Sequence, residues 1–235
     1  MAGYEGVGRA YAEVRERVAA AARRSGRAAE EVALLAVTKF HPIEAVEAAY
    51  AAGARLFGEN RVQEAEVKYP AFLAARPDAR VDMIGHLQSN KAKRAASLFS
   101  RVESVDSLEL LAELDRRALA AGKVLEILFE LHTGEESKSG FPSADLLWRA
   151  CEAAASMRGI RPRGLMTMAP YTSEEAPIRS SFGALRDAFG EARRRFGFPG
   201  FDLLSMGMSN DFEMAVEEGA TLVRIGTAIF GSREP

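Results

Sequence analysis

Short apolar runs alternate along this chain with longer stretches in which apolar residues recur every three or four positions. The short runs occupy residues 34–38, 55–57, 81–84, 101–105, 124–131, 163–166, 203–206 and 222–225. Several are apolar almost throughout, as strands are when helices cover the sheet. Between them, residues 43–52, 62–75, 91–99, 107–121, 143–157, 176–196 and 211–218 carry the helical period. An Ala- and Arg-rich stretch over residues 4–24 predicts one more helix ahead of the first strand. Gly53, Gly122, Gly159 and Gly219 follow helical stretches where a left-handed helix end is expected. Eight strands separated by seven helices predict an α/β chain, a single (β/α)8 barrel domain over residues 1–235 with an extra N-terminal helix. The alternative is an open doubly wound sheet, which usually needs fewer repeats.

Composition narrows the function. The 235 residues are 48% hydrophobic and 27% charged, an ordinary balance for a soluble globular chain. Lys and Arg (31) nearly match Asp and Glu (33), so no basic excess points to nucleic acid or an anionic membrane. No run approaches the roughly 20 apolar residues that span a bilayer. Glu5, Glu13 and Glu16 interrupt the N-terminal basic stretch, unlike an organelle transit peptide, and a cytoplasmic protein is expected. Cys151 is the single cysteine, and its apolar neighbours predict a buried small residue rather than a reactive thiol. His41, His86 and His132 share no ligand spacing, so no metal is expected. No glycine-rich dinucleotide fingerprint follows a strand, and nicotinamide binding has no support.

In a (β/α)8 barrel the functional groups gather at the C-terminal ends of the strands. Lys39 closes the first strand, where desolvation makes a lysine amine nucleophilic toward an aldehyde; the plain alternative is a lysine reaching past the strand end to water. Arg224 lies within the last strand. If Val223 and Ile225 face the helices, a period of two turns Leu222, Arg224 and Gly226 toward the barrel interior. A buried guanidinium demands an acceptor. A carboxylate from Glu59, Glu103 or Glu130 meets that demand, as does a ligand's ring nitrogen or phosphate. Gly226 and Thr227 then offer a close backbone approach and donors where this barrel class often binds phosphate. Ser209, in the preceding loop, adds a hydroxyl. Turn and cap chemistry explains each such pair singly; an amine on the first strand, an interior arginine on the last and two such loops together are more specific.

These residues sit in segments that resemble the pyridoxal phosphate homeostasis proteins, also called proline synthetase co-transcribed proteins. The segments are LLAVTKFHP, LFGENRVQE, IGHLQSNKAK, ESKSGF, GLMTMAP, LLSMGMSNDFEMAVEEGAT and VRIGTAIFG, in order almost end to end. The resemblance implies a fold-type III pyridoxal phosphate barrel related to the N-terminal domain of alanine racemase. It implies that Lys39 forms an internal aldimine with pyridoxal 5′-phosphate (PLP), and that Asn60 lies beside the cofactor. It further implies that Ser209, Gly226 and Thr227 bind the phosphate and that Arg224 faces the pyridine nitrogen. Val81-Asp82-Met83 departs from the Trp-His-Phe of many relatives, which bears on packing around the third strand.

Two uses of such a site compete. One is storage and delivery of PLP with little or no turnover, by a monomer that meets PLP-dependent apo-enzymes transiently. The other is amino-acid racemisation, which needs an acid/base on the face opposite Lys39. In the racemase that group comes from a second domain, and with the chain ending at Pro235 no such domain is expected. A Schiff-base aldolase is a third reading, but those barrels usually place the lysine on a later strand. His41, His86, Lys91 and Lys138 are secondary candidates near the mouth, and the five methionines from Met157 to Met208 are expected to pack the core or line the pocket.

Overall fold

The computed structural model describes residues 4–134 and 139–231; Lys138 lies outside them. Helix α1 (Val7–Arg24) precedes β1 (Ala33–Val37), α2 (Ile43–Ala51), β2 (Leu56–Glu59) and α3 (Val62–Ala75). The alternation continues through β3 (Arg80–Met83), α4 (Ala92–Leu98), β4 (Arg101–Val105), α5 (Leu108–Ala120), β5 (Leu125–Glu130) and α6 (Ala144–Ala154). It ends with β6 (Ile160–Met166), α7 (Glu175–Phe196), β7 (Leu203–Ser205), α8 (Phe212–Glu217), β8 (Leu222–Ile225) and the short α9 (Thr227–Phe230). The strands form a closed parallel barrel in chain order, so the open sheet is excluded. No helix among the described residues is long and apolar enough to cross a membrane.

Alternation along the strands separates two environments. Leu35, Val37, Ile84 and Leu222 form a small cluster of their own. The residues of opposite parity on the same two strands, Leu34, Ala36, Val223 and Ile225, join the large core that includes the helices. Much of the rest of the barrel interior is charged. Asp82, Arg101 and Glu103 are buried, with Arg101 Nη2 2.5 Å from Asp82 Oδ2 and Nε 3.5 Å from Glu103 Oε1. The unusual Val81-Asp82-Met83 segment is thus accommodated by an ion pair with β4. Burial raises the Asp82 carboxyl to about 7, against the pull of Arg101.

Helix α1 buries Val7, Tyr11, Val14, Val18 and Ala21, a three-to-four spacing that makes one apolar stripe. That stripe packs on α2, α8 and α9, across the seam between the first and last units. Ion pairs from Arg17 to Glu213 and from Arg24 to Glu217 tie α1 to α8 along its rim.

Among the differences from expectation, two around β6 have local reasons. β6 starts at Ile160, because Ile160, Arg161 and Pro162 pair with Leu125, Glu126 and Ile127 before a register shift. Pro162 has no N–H to donate, which fits an irregular ladder there. Gly159 is not a left-handed helix end, whereas Gly53, Gly122 and Gly219 do take positive φ. Gly159 is needed for contact instead: its N–H donates to Asp115 Oδ1 at 2.6 Å, and a Cβ would lie 2.3 Å from the Asp115 carbonyl oxygen.

Among the described glycines the least room is at Gly164, where a Cβ would sit 1.7 Å from the Leu203 carbonyl oxygen. Gly164→Ala must therefore push β6 from β7. The expected cost is roughly 2–4 kcal/mol, read as a Tm lower by about 5–10 °C in thermal unfolding. An unchanged Tm would contradict this packing.

Candidate functional site

A cavity of about 490 Å³ opens at the C-terminal end of the barrel, and Lys39, Asn60, Ser209, Arg224, Gly226 and Thr227 all line it. Six residues from four separate stretches of chain are brought together there by the closure of the barrel. Ile84, Met168 and Met208 supply apolar wall, while Tyr171, Asn210 and Asp211 add polar groups that the strand-end reading did not single out.

Lys39 stands just beyond β1, on the same parity as Leu35 and Val37, which places it on the interior side. It occupies a tight turn closed by a hydrogen bond from His41 N–H to the Thr38 carbonyl at 3.1 Å. Phe40 in that turn has φ of 66°, which costs a side-chain-bearing residue roughly 1–2 kcal/mol. Asn60 follows β2, and its Oδ1 is buried without a hydrogen-bond partner among the described residues. Such an atom is costly unless something else meets it.

Arg224 is 4% exposed, as the inward parity of β8 predicts. Its Nη1 donates to Ser205 Oγ at 2.6 Å and its Nη2 to the Thr167 carbonyl at 2.8 Å. Ser205 Oγ in turn donates to Glu103 Oε2 at 2.6 Å, a bond that crosses the barrel from β7 to β4. Of the three carboxylates considered for Arg224, Glu103 thus acts through Ser205. Glu59 faces the opposite side of the sheet, and Glu130 acts on Arg224 only through its charge, taking its hydrogen bond from Ser139 instead. Burial pulls the guanidinium below its ordinary value, while Glu103, Glu130 and Asp211 oppose that pull. A guanidinium starts so high that it stays charged.

Gly226 precedes α9 and lies against β1, where a Cβ would meet the Val37 Cβ and carbonyl at 3.4 Å. Ser209 Oγ accepts from the Ala228 N–H at 3.2 Å. That bond uses an oxygen lone pair and leaves the hydroxyl proton to donate. Asp211 Oδ1 accepts from the Met208 N–H at 2.5 Å and so fixes the loop that carries Ser209.

The secondary candidates divide. His41 packs on Phe230 with ring centroids 5.0 Å apart. His86 and Lys91 line a neighbouring cavity of about 400 Å³ with Phe40, Arg61 and Gln88, not the Lys39 cavity itself. His86 Nδ1 lies 3.0 Å from Asp106 Oδ2. Met168 and Met208 line the Lys39 cavity, whereas Met166 and Met206 are core. Cys151 is buried, and burial pushes its thiol up to about 12.

One network was not anticipated. On the outer side of the sheet, Thr38 Oγ1 donates to Glu59 Oε1 at 2.7 Å, and Lys68 Nζ reaches Glu59 Oε1 at 2.8 Å and Glu64 Oε1 at 2.9 Å. Burial raises the Glu59 carboxyl while Lys68 opposes it. The only sequence signal was the four-residue spacing of Glu64 and Lys68 on α3.

The profile described as alanine racemase, N-terminal domain matches residues 11–234. A pyridoxal phosphate homeostasis protein of Pseudomonas aeruginosa is 42% identical over 224 residues, covering 95% of this chain and 94% of that protein. The structure of PipY from Synechococcus elongatus, solved with PLP bound, is 38% identical and superposes with a TM-score of 0.81. That match covers 93% of this chain and all of PipY's. Alanine racemase of Streptomyces coelicolor shares the fold at 24% identity and a TM-score of 0.70, with 95% of this chain matching 59% of the racemase.

Glu130, at the end of β5, gives the stability of the fold a pH dependence. Its Oε1 accepts from Ser139 at 2.8 Å and its Oε2 is buried without a partner among the described residues. Burial raises its carboxyl from 4.5 to about 7. The native state therefore holds this proton where the unfolded state has lost it, and the group's contribution to stability falls as pH rises through that window. Glu130→Gln removes the slope. Urea unfolding at about pH 5 and about pH 8 should show the variant gaining on the parent by up to roughly 3 kcal/mol. An equal difference at both pH values would contradict the assignment.

Proposed function

The chain belongs to the pyridoxal phosphate homeostasis proteins, built on the alanine racemase N-terminal barrel, and from that membership we propose that it stores and delivers PLP. The observation that carries the reading is the convergence of Lys39, Arg224 and the Gly226-Thr227 loop on one cavity.

The residues present fit this cofactor. The cavity's volume of about 490 Å³ suits a small phosphorylated ring. Its donors are a primary amine, a buried guanidinium and two hydroxyls beside a glycine, which match an aldehyde, a ring nitrogen and a phosphate in turn. The unpartnered Asn60 Oδ1 supplies an acceptor for a polar substituent. When bound, PLP supplies an aldehyde that condenses with an amine, joining carbon to nitrogen with release of water, and a conjugated ring that absorbs visible light.

Lys39 would provide that amine, and Ser209, Gly226 and Thr227 would hold the phosphate. Arg224 would face the ring nitrogen as a permanent cation held through Ser205, disfavouring a proton there and so making the ring a weaker electron sink for carbanions. The role proposed from family membership is storage and delivery with little or no turnover, by a cytoplasmic monomer that meets apo-enzymes transiently. PipY's bound PLP supports the reading by similarity.

The purified chain mixed with PLP should turn yellow, the colour should be absent in Lys39→Ala, and the loaded protein should reactivate a PLP-dependent apo-enzyme. A Lys39→Ala variant as yellow as the parent would contradict the site. Robust α-proton exchange of alanine in heavy water without cofactor transfer would contradict the storage role.

A further inference from the structure

Lys39 is the first corner residue of the turn that runs from Thr38 to His41. Phe40, the second corner, is the only non-glycine residue with positive φ among the described residues. A turn of that form ordinarily takes glycine or asparagine at its second corner. Something must hold a phenylalanine there.

Two residues of α3 do so from below. Glu64 Oε1 accepts the Phe40 N–H at 2.6 Å. Lys68 Nζ donates to the same Glu64 oxygen at 2.9 Å and to the Thr38 carbonyl at 2.9 Å. A third bond, from Lys68 Nζ to the fully buried Glu59 at 2.8 Å, ties the ammonium to β2. The Lys68 side chain is 7% exposed, so these charges are poorly screened by solvent. An ion pair that merely fastened α3 to the sheet would end on side chains. Here two of the bonds end on the backbone groups either side of Lys39.

We propose that Glu64 and Lys68 are positioning residues for Lys39, gripping the backbone before and after it so that its amine is aimed into the cavity. The inference rests on the cofactor reading above. Neither residue lines the cavity. Loss of either should therefore slow bond formation at the Lys39 amine while leaving the pocket for ring and phosphate intact. The amine gains the aldehyde carbon, and the aldehyde oxygen leaves as water with the two amine hydrogens.

Two measurements on the cofactor-free full chain separate these effects. Rapid mixing with PLP reads how fast the visible band of covalently held cofactor appears. Titration with pyridoxine 5′-phosphate, which has ring and phosphate but no aldehyde, reads the pocket alone. Glu64→Gln and Lys68→Met should bind pyridoxine 5′-phosphate within about twofold of the parent, yet form the band about tenfold more slowly or worse. Phe40→Gly added to Glu64→Gln should recover most of the rate, because glycine takes positive φ without strain. Unchanged rates, or rate and pyridoxine 5′-phosphate affinity falling together, would overturn the proposal. If Lys68→Met does not fold, the partly exposed Glu64 decides alone. A parent protein that forms no band overturns the cofactor reading and this inference with it; a normal parent with unaffected variants overturns this inference only.

Discussion

β1 hydrogen-bonds to β8 as well as to β2, with Leu35 opposite Arg224 and Ala36 opposite Ile225. That pairing brings the two ends of the chain side by side and runs them out to the same rim. In an open sheet with this strand order, Lys39 and Gly226 would stand on opposite edges. In the closed ring a Cβ on Gly226 would already touch Val37, and the amine two residues beyond Val37 shares a cavity with the Gly226-Thr227 loop. Helix α1 reinforces the closure by packing across α2, α8 and α9. The site therefore draws on tertiary closure more than on any local motif.

Strand parity then assigns the charges to two layers. Inward-facing Asp82, Arg101, Glu103, Ser205 and Arg224 make a polar barrel interior in which the guanidinium of β8 is held through a serine rather than by a direct carboxylate. Outward-facing Thr38 and Glu59 meet Lys68 and Tyr69 of α3. The inner layer sets what a ligand ring would face. The outer layer holds the backbone on which Lys39 stands. Buried charges of this kind are costly when unpaired and contribute specificity of placement when satisfied.

Much of this was legible in the sequence because period-two alternation is a local property. The apolar runs marked the strands, and the inward turn of Arg224 followed from its apolar neighbours Val223 and Ile225. The strand ends supplied Lys39, Asn60, Gly226 and Thr227, and the family resemblance gave Asn60 its expected place beside the cofactor. What escaped depends on which elements meet in space. The choice among carboxylates for Arg224 required knowing that Ser205 intervenes and that Glu59 shares the outward parity of Phe57. The pairing of Asp82 with Arg101 needed the neighbour relation of β3 and β4. Gly159 looked like a helix end because a glycine required by tight contact and one required by positive φ read alike in one dimension.

The proposed function centres on a covalent bond at one amine. Borohydride reduction of the PLP-loaded chain, followed by proteolysis and mass mapping, locates that bond directly. The added mass is expected on the peptide that contains Lys39. Reduced cofactor found instead on Lys68 or Lys91, or spread over surface lysines with Lys39 unmodified, would contradict it.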